Sequence, residues 1–396
     1  MSGVNGGRTL ALSLGLVLAA AVGIAGSGGV AAPSRPNDLR EAVGAYRFAD
    51  GSAVALVLDD SGASLRLVDY SSGALRDLVE VRPDELVGGP GVRQLRPVRV
   101  RIRLERGPGG EVVALRRGGR EARRIPLVAE PASFDDGAIR LAGRLLRPTG
   151  SGPFPAVVLV PGGVPARRDT YDLWAFFFAS QGLAVLSYDH RGVGASTGLY
   201  VKAPEEGNLS NLADDALAAV RWLRSRPDVD PGRIGLSGGS QAGLVIPLAA
   251  SRSSDVGFAT IQSGPVTSVA RQQAYDTLTL AGARVPPPTG QEIRSALDQV
   301  PDGGFDPRPA LAALRIPVLW QLGSVDKRAF TPETLARLAT ITASGDHDFT
   351  VRVYAGGAHS LRLTRHGLIS EELRSPGFVP GLFGDLAGWL ASRLRP

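Results

Sequence analysis

The sequence predicts an α/β protein in which a mostly parallel sheet flanked by helices follows a small antiparallel β domain. Three observations carry this. Residues 45–128 hold short β-compatible runs punctuated by glycines at turn-like intervals. From about Pro131 short apolar runs alternate with helical segments, the pattern of a parallel sheet covered on both faces. Within this second region a strand, a glycine-rich turn and a helix follow one another around Ser240.

A chain of 396 residues suits two folded units plus a targeting segment. Its apolar fraction of 43% can supply a sizeable core. The formal charge of +6 is carried almost wholly by arginine, since only Lys202 and Lys327 are lysines. Acidic residues are scattered among the arginines, so no nucleic-acid partner is expected. The absence of cysteine excludes disulfides, thiolate zinc sites and cysteine nucleophiles.

The first 32 residues read as a signal peptide or N-terminal anchor. Arg8 precedes an apolar run over residues 10–24, and small residues follow over 26–32. Val30-Ala31-Ala32 offers a cleavage site, although Pro33 is a poor neighbour, and Ala25 marks an earlier alternative. Spanning a bilayer needs about 20 apolar residues, so an uncleaved anchor is the other reading. Either way the chain is expected to be exported, as a secreted, periplasmic or envelope protein, with membrane or envelope association through the N-terminus.

Residues 38–129 form the expected all-β domain, a barrel or a sandwich. In it Val98, Val100, Ile102 and Leu104 alternate with three arginines, which places the apolar residues on a core and the arginines on a solvated strand face. No nucleophile lies beside a base there. Residues 131–396 form the second domain, with strands at 155–160, 183–188, 233–236, 257–262, 317–322 and 349–354. Helices are expected at 171–181, 209–226 and 241–250, the second with Leu212, Ala216, Leu217, Val220 and Leu223 on one stripe. Residues 266–309 interrupt the alternation and are a candidate lid.

Ligands of such sheets bind beyond the carboxyl ends of the strands. At one such end lies Arg233-Ile234-Gly235-Leu236-Ser237-Gly238-Gly239-Ser240-Gln241-Ala242-Gly243. A nucleophilic serine in a strained strand-to-helix turn needs small neighbours. Ser237 fits the G-x-S-x-G spelling literally, while Ser240 fits only with Ala242 in place of the last glycine. Register favours Ser240, because Ser237 follows Ile234 and Leu236 too closely to have left the strand.

This stretch, with Asp230-Pro231-Gly232 before it and Pro247-Leu248-Ala249-Ala250 after it, resembles the esterase and serine-aminopeptidase-like members of the α/β-hydrolase family. So does Tyr188-Asp189-His190-Arg191-Gly192-Val193-Gly194-Ala195-Ser196-Thr197-Gly198, and the likeness covers about residues 131–396. It implies the α/β-hydrolase fold and a serine nucleophile that works with a base. Of the four histidines, His359 follows the strand at 349–354, where the family's base lies. His190 is read as ordering its own loop, His347 precedes that strand, and His366 is read as a surface residue. Chain order in the fold is serine, acid, histidine. Asp326, in Leu322-Gly323-Ser324-Val325-Asp326, resembles the family's acid turn, and Asp346 and Asp348 are its rivals. The oxyanion donors expected are the amides of Gln241 and Gly163, with Val164 as rival to the latter. Family members usually carry His-Gly where this chain has Pro161-Gly162-Gly163. Arg168 and Asp169 match a polar pair of the esterase-like members.

The expected function is a serine hydrolase acting on a small-molecule carboxylic ester through an acyl-enzyme on Ser240. The alternatives are a serine peptidase or amidase, and a non-catalytic envelope-binding protein on a hydrolase scaffold. No metal or organic cofactor is implied.

Overall fold

The computed structural model describes residues 36–394 apart from 60, 61 and 203. The signal or anchor expected in residues 1–32 lies outside the described residues. A short helix α1 (Pro36–Glu41) leads into eight strands: β1 (Gly44–Phe48), β2 (Ala53–Leu58), β3 (Leu65–Asp69), β4 (Leu75–Arg82), β5 (Glu85–Gly88), β6 (Val100–Arg106), β7 (Val112–Arg117) and β8 (Arg120–Arg124). They pair antiparallel in sequence order, and β8 returns to β1, so the sheet closes into a barrel. Of the two architectures the sequence allowed, the closed one leaves no unpaired edge. The alternation in β6 holds: Val100, Ile102 and Leu104 are buried in the barrel interior, while Arg101 and Arg103 face solvent.

The second sheet comprises β9 (Leu127–Asp136), β10 (Ile139–Pro148), β11 (Phe154–Leu159), β12 (Ala184–Tyr188), β13 (Val229–Gly239), β14 (Phe258–Gln262), β15 (Val318–Gly323) and β16 (Phe349–Tyr354). Its order is β16-β15-β14-β13-β11-β12-β10-β9. The strand β10 runs antiparallel to both its neighbours, and every pairing from β12 to β16 is parallel. Around it lie α2 (Asp172–Ser180), α3 (Glu206–Arg224), α4 (Ala242–Ser251), α5 (Val269–Thr279), α6 (Gly290–Asp298), α7 (Arg308–Ala313), α8 (Thr331–Ala343), α9 (Ile369–Glu372) and α10 (Leu382–Arg393). The central parallel strands are buried on both faces, hence their mostly apolar runs, in which Thr260, Gln262 and Gln321 are buried polar members. The stripe expected on α3 is buried as a whole.

Two differences from the sequence reading have physical causes. Pro131 lies inside β9, whose first residue is Leu127. This strand and β10 alternate buried with exposed positions, like the barrel strands before them, so the change of pattern becomes visible only later. The strand expected at residues 233–236 extends over Val229–Gly239 and contains Ser237.

The barrel and the sheet share one hydrophobic cluster. Ala53, Ala55, Val57 and Val68 from the outer face of the barrel pack with Phe176, Phe177, Phe178, Phe383 and Leu386. The Tyr70 ring stands edge-on to Phe177 at 5.3 Å and to Phe383 at 5.0 Å, and its hydroxyl donates to Leu173 O at 2.7 Å. The chain at Gly377 bridges Ala74, with Phe378 N–H donating to Gly73 O at 2.8 Å. The segment expected as an independent domain is therefore joined to the larger one through a common core.

This joint core predicts cooperative unfolding. Phe177→Ala, which empties a side chain 1% exposed, should cost about 3–5 kcal/mol. Hydrogen exchange read by mass spectrometry should show peptides from β3 and from β14 losing protection together in this variant. Loss confined to one of the two would mean that the shared cluster does not couple them.

Candidate active site

The strand β13 ends at Gly239, and α4 begins at Ala242, leaving Ser240 and Gln241 to make the turn. Ser240 adopts a left-handed backbone with φ +59°, a conformation costly for a residue with a side chain. Its N–H donates to Gln262 O at 2.9 Å, which holds the turn against β14. Gly238 is the tight point: a Cβ there would lie 2.6 Å from Ala242 Cβ and 2.6 Å from Val160 O. A glycine on one side of the serine thus makes room for an alanine on the other, which accounts for the departure from the usual spelling. Ser237 stays in the strand, buried, and accepts a hydrogen bond from Thr260 Oγ1 at 2.8 Å.

His359 follows β16 and brings Nε2 to 2.9 Å from Ser240 Oγ. Its Nδ1 lies 2.9 Å from Asp326 Oδ2 and 3.1 Å from Oδ1. With Nδ1 protonated, the ring donates to the carboxylate and Nε2 is free to accept from the serine. Asp326 is buried and held in turn by the amides of Arg328 at 2.7 Å and Ala329 at 2.9 Å. Burial works against a charged imidazole, but the charge and hydrogen bond of Asp326 outweigh it and hold His359 above its ordinary range. The rival groups are elsewhere: His347 bonds to Leu314 O, His366 to Glu371, and Asp348 to Arg393, while Asp346 is exposed.

Ser240 and His359 face a cavity of about 420 Å³ with Gly163 in its lining. A Cβ on Gly163 would sit 3.5 Å from Gln241 Cβ, so the two backbones are close neighbours. Among the described residues neither the Gly163 nor the Gln241 amide donates a hydrogen bond, whereas Gly162 N–H donates to Tyr171 Oη at 3.0 Å. All five residues singled out from the sequence therefore meet at one end of the sheet. Sequence reasoning missed the groups that shape the loop. Tyr200 Oη donates to Gly163 O at 3.0 Å, and His190 donates from Nδ1 to Val164 O at 3.1 Å. The His190 and Tyr200 rings lie 5.2 Å apart. The ordering role read for His190 thus extends to the Gly163 loop. Arg168 does not pair with Asp169 but with buried Asp189, at 2.7 Å. Burial pushes the Asp189 carboxyl up, but its bonds to Arg168 and to the Ala195 amide prevail and hold it below the usual range.

The segment 266–309 is not among the cavity's walls. It braces the acid loop instead, through Tyr275 Oη to Asp326 O at 2.8 Å and Thr279 Oγ1 to Lys327 O at 2.6 Å. Barrel residues, Val57, Leu58, Arg66 and Leu75, are among the cavity's walls.

An eight-stranded sheet of this order, with its antiparallel start and a left-handed serine at the end of its fifth strand, decides the fold. The chain is an α/β-hydrolase by fold. A family model for the X-Pro dipeptidyl-peptidase (S15 family) matches residues 136–281 of this chain. The esterase EstD of Thermotoga maritima is 33% identical over 150 residues, 35% of this chain and 34% of that protein. The polyketide transferase claH of Penicillium crustosum is 34% identical over 139 residues, 35% of this chain and 44% of that protein. These matches span less than half the length of either relative. Among solved structures, the esterase Pf2001 of Pyrococcus furiosus is 17% identical, with a TM-score of 0.49 over 68% of this chain and 92% of that one. Among the described residues no helix is long and apolar enough to cross a membrane.

His190 carries a measurable signature. Burial lowers its pKa to about 4, with Arg191 adding to the effect and the Val164 carbonyl opposing it. Between about pH 6.5 and 4 the unfolded chain binds this proton and the folded chain does not, so stability falls as pH drops through that window. The contribution is up to about 3 kcal/mol. Urea titrations at several pH values should show it, and His190→Asn should lose that part of the slope. An unaltered slope in the variant would remove the buried neutral histidine from the account.

Proposed function

We propose that the protein is a serine hydrolase that cleaves a small-molecule carboxylic ester through an acyl-enzyme. The observation that carries the reading is the hydrogen-bonded series Ser240–His359–Asp326 opening onto a cavity beside two unengaged amides. Ser240 Oγ attacks the carbonyl carbon while His359 Nε2 takes its proton. Asp326 stabilises the imidazolium and fixes the ring. The carbonyl oxygen, now negative, is met by the Gly163 and Gln241 amides, with the positive end of α4 behind Gln241. His359 then returns the proton to the leaving alcohol. Water, activated by the same ring, attacks the acyl-enzyme and releases the acid. The likeness to EstD over its matched third supports an ester substrate. The match to the X-Pro dipeptidyl-peptidase model supports a second reading, a peptide or amide bond cleaved by the same groups.

Export also belongs to this proposal, motivated by Arg8 and the apolar run after it. Recovery of a full-length chain starting at Ser2 from a soluble cytoplasmic fraction would refute it.

A fluorophosphonate should label Ser240, and Ser240→Ala should abolish both labelling and ester hydrolysis. An adduct mapped to Ser237 would overturn the assignment. His359→Ala should be about as damaging, and Asp326→Asn should cost on the order of 10⁴-fold in kcat.

The base works only when neutral, so kcat/KM should rise with pH through an inflection above about 6.5, the ordinary histidine value. Asp326→Asn removes the anion that raises the ring, and its residual activity should rise at lower pH than the wild type's. A pH–rate profile with the two inflections in the opposite order would contradict the proposed pairing.

A further inference from the structure

The barrel supplies part of the wall of the cavity that holds Ser240, and three of its four lining residues are apolar. Val57 and Leu58 at the end of β2 and Leu75 at the start of β4 line the same space as Ser240 and His359. Trp174, Leu361 and Phe378 line it as well. The charged barrel residue in the lining, Arg66, is bound to Asp77 at 2.7 Å, so its charge is compensated. The wall is also built into the fold. Leu75 N–H donates to Pro376 O at 3.1 Å, and Gly73 O accepts from Phe378 N–H, so the barrel hairpin and the Phe378 loop hold each other in place.

Resting on the hydrolase reading above, we infer that the outer face of β2–β4 is the specificity wall of the site and receives an unbranched hydrocarbon arm of the ester. A volume of about 420 Å³ suits a small molecule rather than a polymer. Each methylene moved from water onto such a wall favours binding about fourfold. Discrimination among substrates should therefore follow chain length, and it should reside in barrel residues that take no part in the chemistry.

The test is a pair of ester series on the full chain. In one, 4-nitrophenyl esters run from acetate to decanoate; in the other, acetate esters carry alcohols of increasing length. The wild type should gain about fourfold in kcat/KM per methylene in at least one series up to an optimum, and that series identifies the arm. Val57→Phe, which fills the wall, should lower the long esters about tenfold or more while leaving the acetate within about twofold. Val57→Ala, which opens it, should move the optimum to longer chains. Val81→Ala, on the exposed far end of β4, should follow the wild type throughout. Profiles flat in both series, or variants that lower all lengths equally while keeping the wild-type melting temperature and Ser240 labelling, would overturn the inference. Calorimetric binding of 1-octanol separates it from the hydrolase reading. If no ester is cleaved, octanol bound by the wild type and weakened by Val57→Phe sustains the wall and refutes only the reaction. Equal octanol binding by both proteins refutes the wall.

Discussion

The turn at Ser240 is the constraint on which the site depends. A residue with a side chain is held at φ +59° between a buried strand and a buried helix. Such a conformation persists only where the surroundings over-determine it. Here three contacts do so: the Ser240 amide on Gln262 O, the glycine at 238 against Ala242, and the pairing of β13 with β11 and β14 on either side. The same geometry points the Ser240 hydroxyl out of the sheet toward His359 and leaves the next amide, that of Gln241, outside the hydrogen bonds of α4. One local strain thus positions both a hydroxyl and a donor.

The other groups reach that point from separate parts of the chain, and each is held by a neighbour of its own. Asp326 is fixed by two amides of its turn and braced from α5 through Tyr275. The His359 loop is secured by Glu372, whose carboxylate accepts from both the Ser360 amide and the Ser360 hydroxyl. The Gly163 loop hangs on Tyr171, Tyr200 and His190. The loop carries Pro161-Gly162-Gly163, and an imidazole from the neighbouring loop bonds to Val164 O. The shared core of barrel and sheet then sets the far wall of the cavity.

Much of this was legible from residue order. Parallel strands buried on both faces announce themselves as apolar runs, and the small residues around Ser240 announce a crowded turn. His359 and Asp326 were recoverable because each follows a strand, at the end of the sheet where side chains can converge. The choice of Ser240 over Ser237 rested on register, and β13 does contain Ser237 with its hydroxyl turned to Thr260. The start of the second sheet was less legible, because the antiparallel β9 and β10 alternate just as barrel strands do.

By itself the sequence determined the fold class, the strained serine and the residues able to partner it, since these depend on local spacing and on the few histidines available. Only the tertiary structure decided what encloses them. Residues 266–309, read as a lid from their place between two strands, buttress Asp326, and the barrel, read as separate, lines the cavity with Val57, Leu58 and Leu75. Nor could spacing reveal that Arg168 turns to Asp189 or that Tyr200 holds the Gly163 loop. The reason is physical: an apolar run records that a surface is buried, not which distant surface buries it, and a polar side chain finds its partner only after the sheet has brought the loops together.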